Sequence, residues 1–154
     1  MAIRAAGYRK KIIIIQFIKG SWKTGEEESL KKFYPQIKFV RTGEGFVKIV
    51  DDQKPIKAHI LAAQKALKLA QRALCSRKYQ IVILDEVNYA VKGNLIGVKD
   101  ILNLIQLKPP TVHLVLTGNF ASPKVVQKAD LVTEMKEIKH PFKKGIKAQR
   151  GVDY

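Results

Sequence analysis

Ile81-Val82-Ile83-Leu84-Asp85-Glu86 is the stretch of sequence that decides the fold. Its apolar part is short and rich in β-branched residues, which predicts a strand buried on both faces of a parallel sheet. Burying a carboxylate without a partner is costly. We therefore expect Asp85 and Glu86 to lie just past this strand, at the carboxyl end of the sheet, where open α/β sheets bind ligands.

Asp85 and Glu86 are candidate metal ligands. Two carboxylates at that edge suit a hard cation such as Mg²⁺, which proteins usually hold through water and a substrate phosphate. The alternative is that one acid caps the following helix while the other is solvated. The spacing of the two acids is compatible with both interpretations.

The charge of the chain is unusual for a globular protein of its size. Its 154 residues suffice for one domain with a core, and the formal net charge is +16. No acid occurs between Gln53 and Leu84, whereas seven bases do. Such a surface favours anionic partners: nucleotide phosphates, nucleic acid or an acidic membrane face.

Cysteine usage and hydropathy predict a cytoplasmic location. The sequence has no apolar run of the length that spans a membrane and no signal-peptide pattern. The single Cys75 excludes an internal disulfide and fits a reducing compartment. With one Cys and three scattered His, the sequence has no zinc-ligand spacing.

A second buried strand is predicted over Lys11–Ile18, and the loop Lys19–Gly25 follows it. The loop carries two Gly, two Lys and two hydroxyl side chains, a composition that can approach an anion closely. A flexible polar loop is the alternative. Thr24 is a possible N-cap of a short helix over Glu26–Phe33.

The pattern of the remaining chain alternates strands with helices. The further predicted strands are Ile37–Val40, Thr111–Gly118 and Ala129–Met135, and the further predicted helices are Met1–Gly7, Ile56–Lys78, Val87–Val91, Val98–Leu107 and one that begins at Ser122. We expect Cys75 and His113 to be core residues. The alternation predicts an α/β fold with a mostly parallel sheet flanked by helices.

Two segments outside these elements leave alternatives open. Gly43 and Gly45 flank Glu44 and imply a turn that presents Phe46, either as a packing plug or as the wall of a ligand site. The C-terminal tail, Lys139–Tyr154, is either disordered or docked on a surface through Phe142, Ile146 and Tyr154.

Several short strings, taken together and in order, give the chain a family likeness. It resembles the ATP:corrinoid adenosyltransferases of the cob(I)alamin type, over nearly its whole length. The strings that carry the resemblance are Arg4–Tyr8, Gln16–Gly20, Thr24–Glu26, Gly43–Phe46, Leu84–Glu86, Ala129–Met135, Lys139–Phe142 and Gly145–Gln149.

The resemblance implies a P-loop nucleotide-binding fold of the RecA-like class, usually a homodimer. It implies ATP, Mg²⁺ and a reduced corrinoid, cob(I)alamin or a precursor such as cob(I)yrinic acid a,c-diamide. The Co(I) centre attacks the 5′ carbon of ATP and triphosphate leaves. Because the nucleophile belongs to the corrinoid, the protein supplies orientation and electrostatics.

The resemblance also implies roles for particular residues. Asp85 and Glu86 hold the metal on the triphosphate, and Lys19, Lys23 and Thr24 lie beside the phosphates. Phe46 lies against the lower face of the corrin. There it takes part in catalysis by excluding the axial ligand, so that Co(II) is easier to reduce.

The sequence departs from the family pattern in three places. The Walker A loop G-x-x-x-x-G-K-[ST] is absent from the 154 residues. We therefore expect residues 1–154 to be a P-loop domain that lacks its first strand and its P-loop, with Met1 an internal Met of the gene. Lys48 stands where the family usually has Trp, and Asn119 where Arg is common.

The expected loss of a strand has a structural consequence. A buried strand such as Ile12–Ile18 or Ile81–Leu84 is expected to have an unpaired backbone edge, which invites association.

Two classes of function follow from the sequence. The first is a corrinoid adenosyltransferase, or its C-terminal portion with weak or no turnover because the P-loop is absent from the 154 residues. The second is a non-catalytic corrinoid- or nucleotide-binding protein, or a basic nucleic-acid-binding protein. The nucleic-acid version lacks an aromatic-rich basic surface motif.

Overall fold

The computed structural model of the protein describes residues 1–18, 20, 24–45 and 54–152. Within them the chain alternates strands and helices, ending in a short 3₁₀ turn over Pro141–Lys144. The strands are β1 (Ile12–Gln16), β2 (Ile37–Arg41), β3 (Ile81–Asp85) and β4 (His113–Leu116). The helices are α1 (Ala2–Gly7), α2 (Gly25–Lys31), α3 (Ile56–Cys75), α4 (Val87–Lys92), α5 (Val98–Leu107) and α6 (Pro123–Lys128).

The four strands form one sheet in the order β2-β1-β3-β4, and all neighbours are parallel. Ile12 is in register with Ile37 on one side and with Ile81 on the other. Parallel neighbours need crossover connections, which the helices supply. The α/β fold with a parallel sheet flanked by helices is therefore confirmed.

The larger part of the core lies on one face of the sheet. Ile13 and Ile15 of β1 and Val82 and Leu84 of β3 point to that face and are buried with the Ala-rich side of α3. The other buried members of this cluster come from the later helices and from loops: Val87, Ala90, Ile101, Leu104 and Val125 lie on helices, and Phe17, Ile18, Leu95, Ile96 and Val112 lie on loops. The alanines of α3 let the helix approach this face of the sheet closely.

The opposite face of the sheet carries a smaller cluster. Ile12, Ile37 and Ile81 are buried there with Ala6 of α1, and the partly buried Leu30 belongs to α2. Strands with apolar residues on both faces are typical of parallel sheets. Among the residues that the structure describes, no helix combines the length and hydrophobicity needed to cross a membrane.

The expectation of an unpaired edge on a buried strand is wrong for both strands named. β1 and β3 are the two interior strands, and each is paired on both sides. The edges of the described sheet belong to β2 and β4 instead, which are less buried.

Several predictions about the periphery are also wrong. Ala129–Met135 forms no strand, and every residue from 126 to 152 is exposed. His113 is exposed because it begins the edge strand β4, and Cys75 is exposed at the last residue of α3. The two alternatives for the tail stay open: Phe142 and Ile146 are exposed on this chain, and Tyr154 lies outside the described residues.

Candidate active site

A row of polar side chains crosses the carboxyl end of the sheet. Arg41 ends β2, Gln16 ends β1 and Asp85 ends β3, and the register aligns Gln16 with both neighbours. Residues paired across parallel strands point to the same side, so the three side chains lie on the same face of the sheet. The predicted position of the acids at this edge is thus confirmed for Asp85, and Glu86 follows directly.

Asp85 is held from both sides by neutral donors. The Gln16 amide Nε2 donates to Asp85 Oδ2 at 2.9 Å, and the Thr117 hydroxyl Oγ1 donates to Asp85 Oδ1, also at 2.9 Å. Gln16 is 1% exposed, whereas Asp85 is half-buried. Hydrogen bonds to a charged group are stronger than those between neutral groups. The carboxylate is therefore fixed in orientation while remaining at the rim of the sheet.

Glu86 adopts a left-handed backbone conformation, with φ 61° and ψ 20°. Its backbone N–H donates to Thr117 Oγ1 at 3.0 Å. A residue other than glycine in this region costs of order 1–3 kcal/mol and is often found at functional sites. Glu86 occupies the N-cap of α4, but its side chain makes no capping hydrogen bond. The alternative that this acid serves as a helix cap is therefore wrong.

The segment after β4 packs tightly against Glu86. Gly118 has φ +110°, and a Cβ built there would lie 3.3 Å from Glu86 Cα and 3.4 Å from Glu86 Oε2. The buried Asn88 donates from Nδ2 to the Gly118 carbonyl at 3.0 Å. Glycine at this position thus permits the close approach that joins the start of α4 to the end of β4.

The loops that follow β1 and β2 touch through their backbones. A Cβ on Gly43 would lie 2.5 Å from the Ile18 carbonyl carbon, and one on Gly20 would lie 2.7 Å from backbone atoms of Glu44 and Gly45. The Gly45 N–H donates to the Ile18 carbonyl at 2.9 Å. The turn that precedes Phe46 therefore lies against the glycine-containing loop after β1.

Thr24 lies at the N-cap of α2, as predicted, but its side chain does not cap the helix. It is 6% exposed, and its Oγ1 is a buried hydroxyl with no hydrogen-bond partner in the described part of the chain. Beside it, Arg41 donates from Nη1 to the Gly20 carbonyl at 3.0 Å and pairs with Glu27 of α2. A buried, unsatisfied hydroxyl is uncommon and calls for an explanation.

An ion pair joins the two ends of the segment that contains Phe46. Glu44 accepts a hydrogen bond from Lys54 Nζ. This bond, with the charge of Lys54, holds the pKa of Glu44 below its ordinary value of 4.5, against the opposing effect of desolvation. The carboxylate form of Glu44 is thereby favoured.

The other predicted site residues fall outside the described part of the chain. These are Lys19, Lys23 and Phe46, and the departing residue Lys48 lies there too. Asn119 is described: its Nδ2 donates to the Tyr89 hydroxyl at 3.1 Å at an exposed position. It thus lies just after the Thr117-Gly118 segment that contacts the acid pair.

Gln16 and Thr117 were not singled out from the sequence. Gln16 is a polar residue that ends a long apolar strand run, at the same position in its strand as Asp85 in β3. That equivalence was the available signal, because neighbouring parallel strands end at the same edge. Thr117 gave no comparable signal, since Thr is an ordinary strand residue.

The donor set at this edge fits Mg²⁺ that arrives with a nucleotide. Asp85 and Glu86 offer hard oxygen donors. In residues 1–18, 20, 24–45 and 54–152, no group of three or more His, Cys, Asp or Glu gathers as a metal cage. Mg²⁺ is usually bound by one or two carboxylates, with waters and substrate phosphates completing its octahedron.

A cavity of about 390 Å³ lies at the other end of the strands. Arg77, Tyr79, Gln80 and residues 109–112 line it. It contains no carboxylate and lies at the amino ends of β3 and β4, away from the acid pair. The cavity therefore does not contribute to the candidate active site.

Comparison with known proteins agrees with the resemblance seen in the sequence. The family model described as ATP:corrinoid adenosyltransferase BtuR/CobO/CobP matches residues 1–154. A corrinoid adenosyltransferase of Pseudomonas aeruginosa is 39% identical over 154 residues, covering 100% of this chain and 74% of the relative.

Two further relatives carry the same name. One from Sinorhizobium sp. is 36% identical, covering 100% of this chain and 72% of the relative. One from Escherichia coli K12 is 29% identical, covering 99% of this chain and 76% of the relative. The chain therefore belongs to the ATP:corrinoid adenosyltransferase family.

Proposed function

We propose that this protein transfers the 5′-deoxyadenosyl group of ATP to the Co(I) centre of a corrinoid. The electron pair of Co(I) forms the cobalt–carbon bond, the bond between C5′ and oxygen breaks, and its electron pair leaves with triphosphate. The observation that carries the proposal is the acid pair held at the carboxyl end of a parallel sheet by Gln16 and Thr117. Family membership supplies the substrate class.

Asp85 and Glu86 are the proposed holders of Mg²⁺ on the triphosphate. When bound, the ion neutralises charge on the leaving group. The fixed orientation of the Asp85 carboxylate and the constrained backbone of Glu86 support this role, because pre-positioned ligands lose little freedom on binding.

Thr24, Lys19 and Lys23 are proposed to bind the phosphates. The buried Thr24 hydroxyl, with its hydrogen bond unmade in the described residues, supports the assignment, since a phosphate oxygen would satisfy it. The two lysines are proposed from the resemblance alone. Their cationic side chains suit a triphosphate, as does the net charge of +16.

Phe46 is proposed to lie against the lower face of the corrin, where it excludes the axial ligand. An external one-electron donor then reduces Co(II) more easily. Support comes from its place in the chain: it follows Gly45, whose N–H is bound to Ile18 of the neighbouring loop. The anchored turn holds Gly45, the residue before it, against the loop that follows β1.

The assembly and location are proposed in the same way. We propose one nucleotide-binding domain of the P-loop type over 1–154, with 139–154 as its tail, acting as a cytoplasmic homodimer. The exposed apolar side chains after α6, such as Leu131, Met135 and Phe142, supply surface for a subunit contact. Sedimentation velocity tests the dimer directly.

The reaction is tested with reduced cobalamin, ATP and Mg²⁺. We expect a light-sensitive cobalt–carbon bond to form, and the absorption spectrum of the corrinoid detects it. One triphosphate should be released per corrinoid. Salt-sensitive binding of DNA without this product would instead support the alternative of a nucleic-acid-binding protein.

The metal role is tested by the double variant Asp85→Asn with Glu86→Gln. Both substitutions keep side-chain size and remove charge, so we expect Mg-ATP affinity to fall while metal-free ATP affinity changes little. Isothermal titration with and without Mg²⁺ measures both. Equal Mg-ATP affinities for the variant and the original protein would contradict the role.

A further inference from the structure

The buried side-chain amide of Gln16 makes a hydrogen bond through its nitrogen, whereas its oxygen makes none within the described residues. Its Nε2 donates to Asp85, and its Oε1 is buried without a partner in the described part of the chain. An unmade hydrogen bond of a buried acceptor destabilises a fold. When a residue of a core strand has an unpaired buried acceptor, the reason is often functional.

The orientation of this amide is determined by Asp85. Turning the amide over would place Oε1 against a carboxylate oxygen, and two acceptors repel each other. The neighbour on the other side, Arg41, is aligned with Gln16 in the register, and its Nε is also buried without a partner there. The amide nitrogen, and not the amide oxygen, therefore faces the acid.

Thr117 contacts both acidic residues through one hydroxyl group. Its proton goes to Asp85 Oδ1, and its oxygen accepts the N–H of Glu86. The same atom thus orients one carboxylate and fixes the backbone that carries the other. Valine has the same shape as threonine but provides neither bond.

We infer that Gln16 and Thr117 are positioning residues that set the metal affinity of the acid pair. This inference rests on the proposed function of Asp85 and Glu86. Each Asp85 oxygen accepts one bond, from Gln16 or from Thr117, and keeps a lone pair for a further partner. The half-buried residue lies at the carboxyl end of the sheet, where a divalent ion on a nucleotide would arrive. Residues that hydrogen-bond to a metal-binding carboxylate orient it and change its affinity for the metal.

A purely structural role for the two residues makes a different prediction. Gln16→Met removes the unsatisfied Oε1 together with the bond to Asp85, so the two effects on stability oppose each other. We expect thermal stability to stay close to that of the original protein while metal binding weakens. A packing role would give the reverse: a loss of stability with metal affinity unchanged.

The experiment measures Mn²⁺ binding to the protein–ATP complex by electron paramagnetic resonance, with Mn²⁺ as the probe for Mg²⁺. We expect Gln16→Met and Thr117→Val each to weaken Mn²⁺ binding about 10-fold. This is within the range found when a residue that hydrogen-bonds to a metal ligand is replaced. Thr117→Ser keeps the hydroxyl and serves as the matched control, with affinity within about 2-fold of the original. Metal-free ATP affinity is expected to be unchanged in all three.

The outcomes separate the inference from the proposed function. If the original protein binds Mn²⁺ with ATP and Asp85→Asn abolishes this, but Gln16→Met and Thr117→Val bind as the original does, the inference is overturned and the proposed function stands. If the original protein shows no metal-dependent ATP binding, both fail. Should Gln16→Met not fold, the comparison of Thr117→Val with Thr117→Ser decides alone.

Discussion

Replacing Gly43 with Ala should separate the two loops that flank the candidate active site. The added Cβ would lie 2.5 Å from the Ile18 carbonyl carbon, while ordinary contact begins at 3.4 Å, so the backbones must part by about 0.9 Å. The hydrogen bond from the Gly45 N–H to the Ile18 carbonyl, now 2.9 Å long, is the first to be strained.

The magnitude follows from these contacts. Overpacking costs about 1–3 kcal/mol, and a lost backbone hydrogen bond adds about 0.5–1.5 kcal/mol. We expect Gly43→Ala to lower the free energy of unfolding by about 2–4 kcal/mol. For a domain of this length, each kcal/mol shifts Tm by about 2–4 °C, which predicts a loss of roughly 5–15 °C.

Differential scanning calorimetry measures the loss, with Gly7→Ala as the matched control. Gly7 ends α1, and a Cβ there meets nothing within 4 Å, so the control should be neutral or slightly stabilising. Because the strained turn leads to Phe46, corrinoid affinity should fall in Gly43→Ala as well. A Tm within about 1 °C of the original would refute the close contact inferred here.

Three further predictions concern residues around the same edge. Gly118→Ala forces a Cβ into a position with φ +110° beside Glu86, and chemical denaturation should show a loss of about 1–3 kcal/mol. Thr24→Val removes a buried unpaired hydroxyl, so Tm should hold or rise while Mg-ATP affinity falls in calorimetric titration; a matching loss of Tm would count against the phosphate role. Lys54→Met should lower the stability of the protein slightly at pH 7. The pKa of Glu44 is lowered in the folded protein, so the ion pair of Glu44 with Lys54 stabilises the fold above about pH 4.5. Below the folded pKa of Glu44 the variant and the original protein should unfold at the same urea concentration.

The sheet interior was predictable because its signal is local. Long apolar runs ending in polar residues located β1 and β3, and the position of Asp85 followed from the cost of burying a carboxylate. The family resemblance, carried by short strings in order, was confirmed by the match over residues 1–154.

The edge strands β2 and β4 were also predicted, but the region after α6 and the exposure of edge residues were not. The segment Ala129–Met135 was predicted as a strand from its short run of Leu, Val and Thr. Strand formation also needs a neighbour, and the sequence does not show which neighbours are present. For the same reason His113 was expected in the core and is exposed at the edge.

The details of the candidate site depended on register. The bonds of Gln16 and Thr117 to Asp85 join residues 69 and 32 positions apart, a pairing that composition does not reveal. The left-handed backbone of Glu86 has likewise no signature in the residue type itself, since such a conformation is imposed by its surroundings.

The placement of β1 between β2 and β3 has a consequence for how the protein is made. β2 follows β1 closely, but β3 lies so far along the chain that Gln16 and Asp85 are 69 residues apart. At a ribosomal rate of about 5–20 residues per second, β3 is synthesised roughly 3–14 s after β1, and one edge of β1 stays unpaired until then. During that interval a nascent chain offers an open, isoleucine-rich strand edge, which a chaperone would recognise.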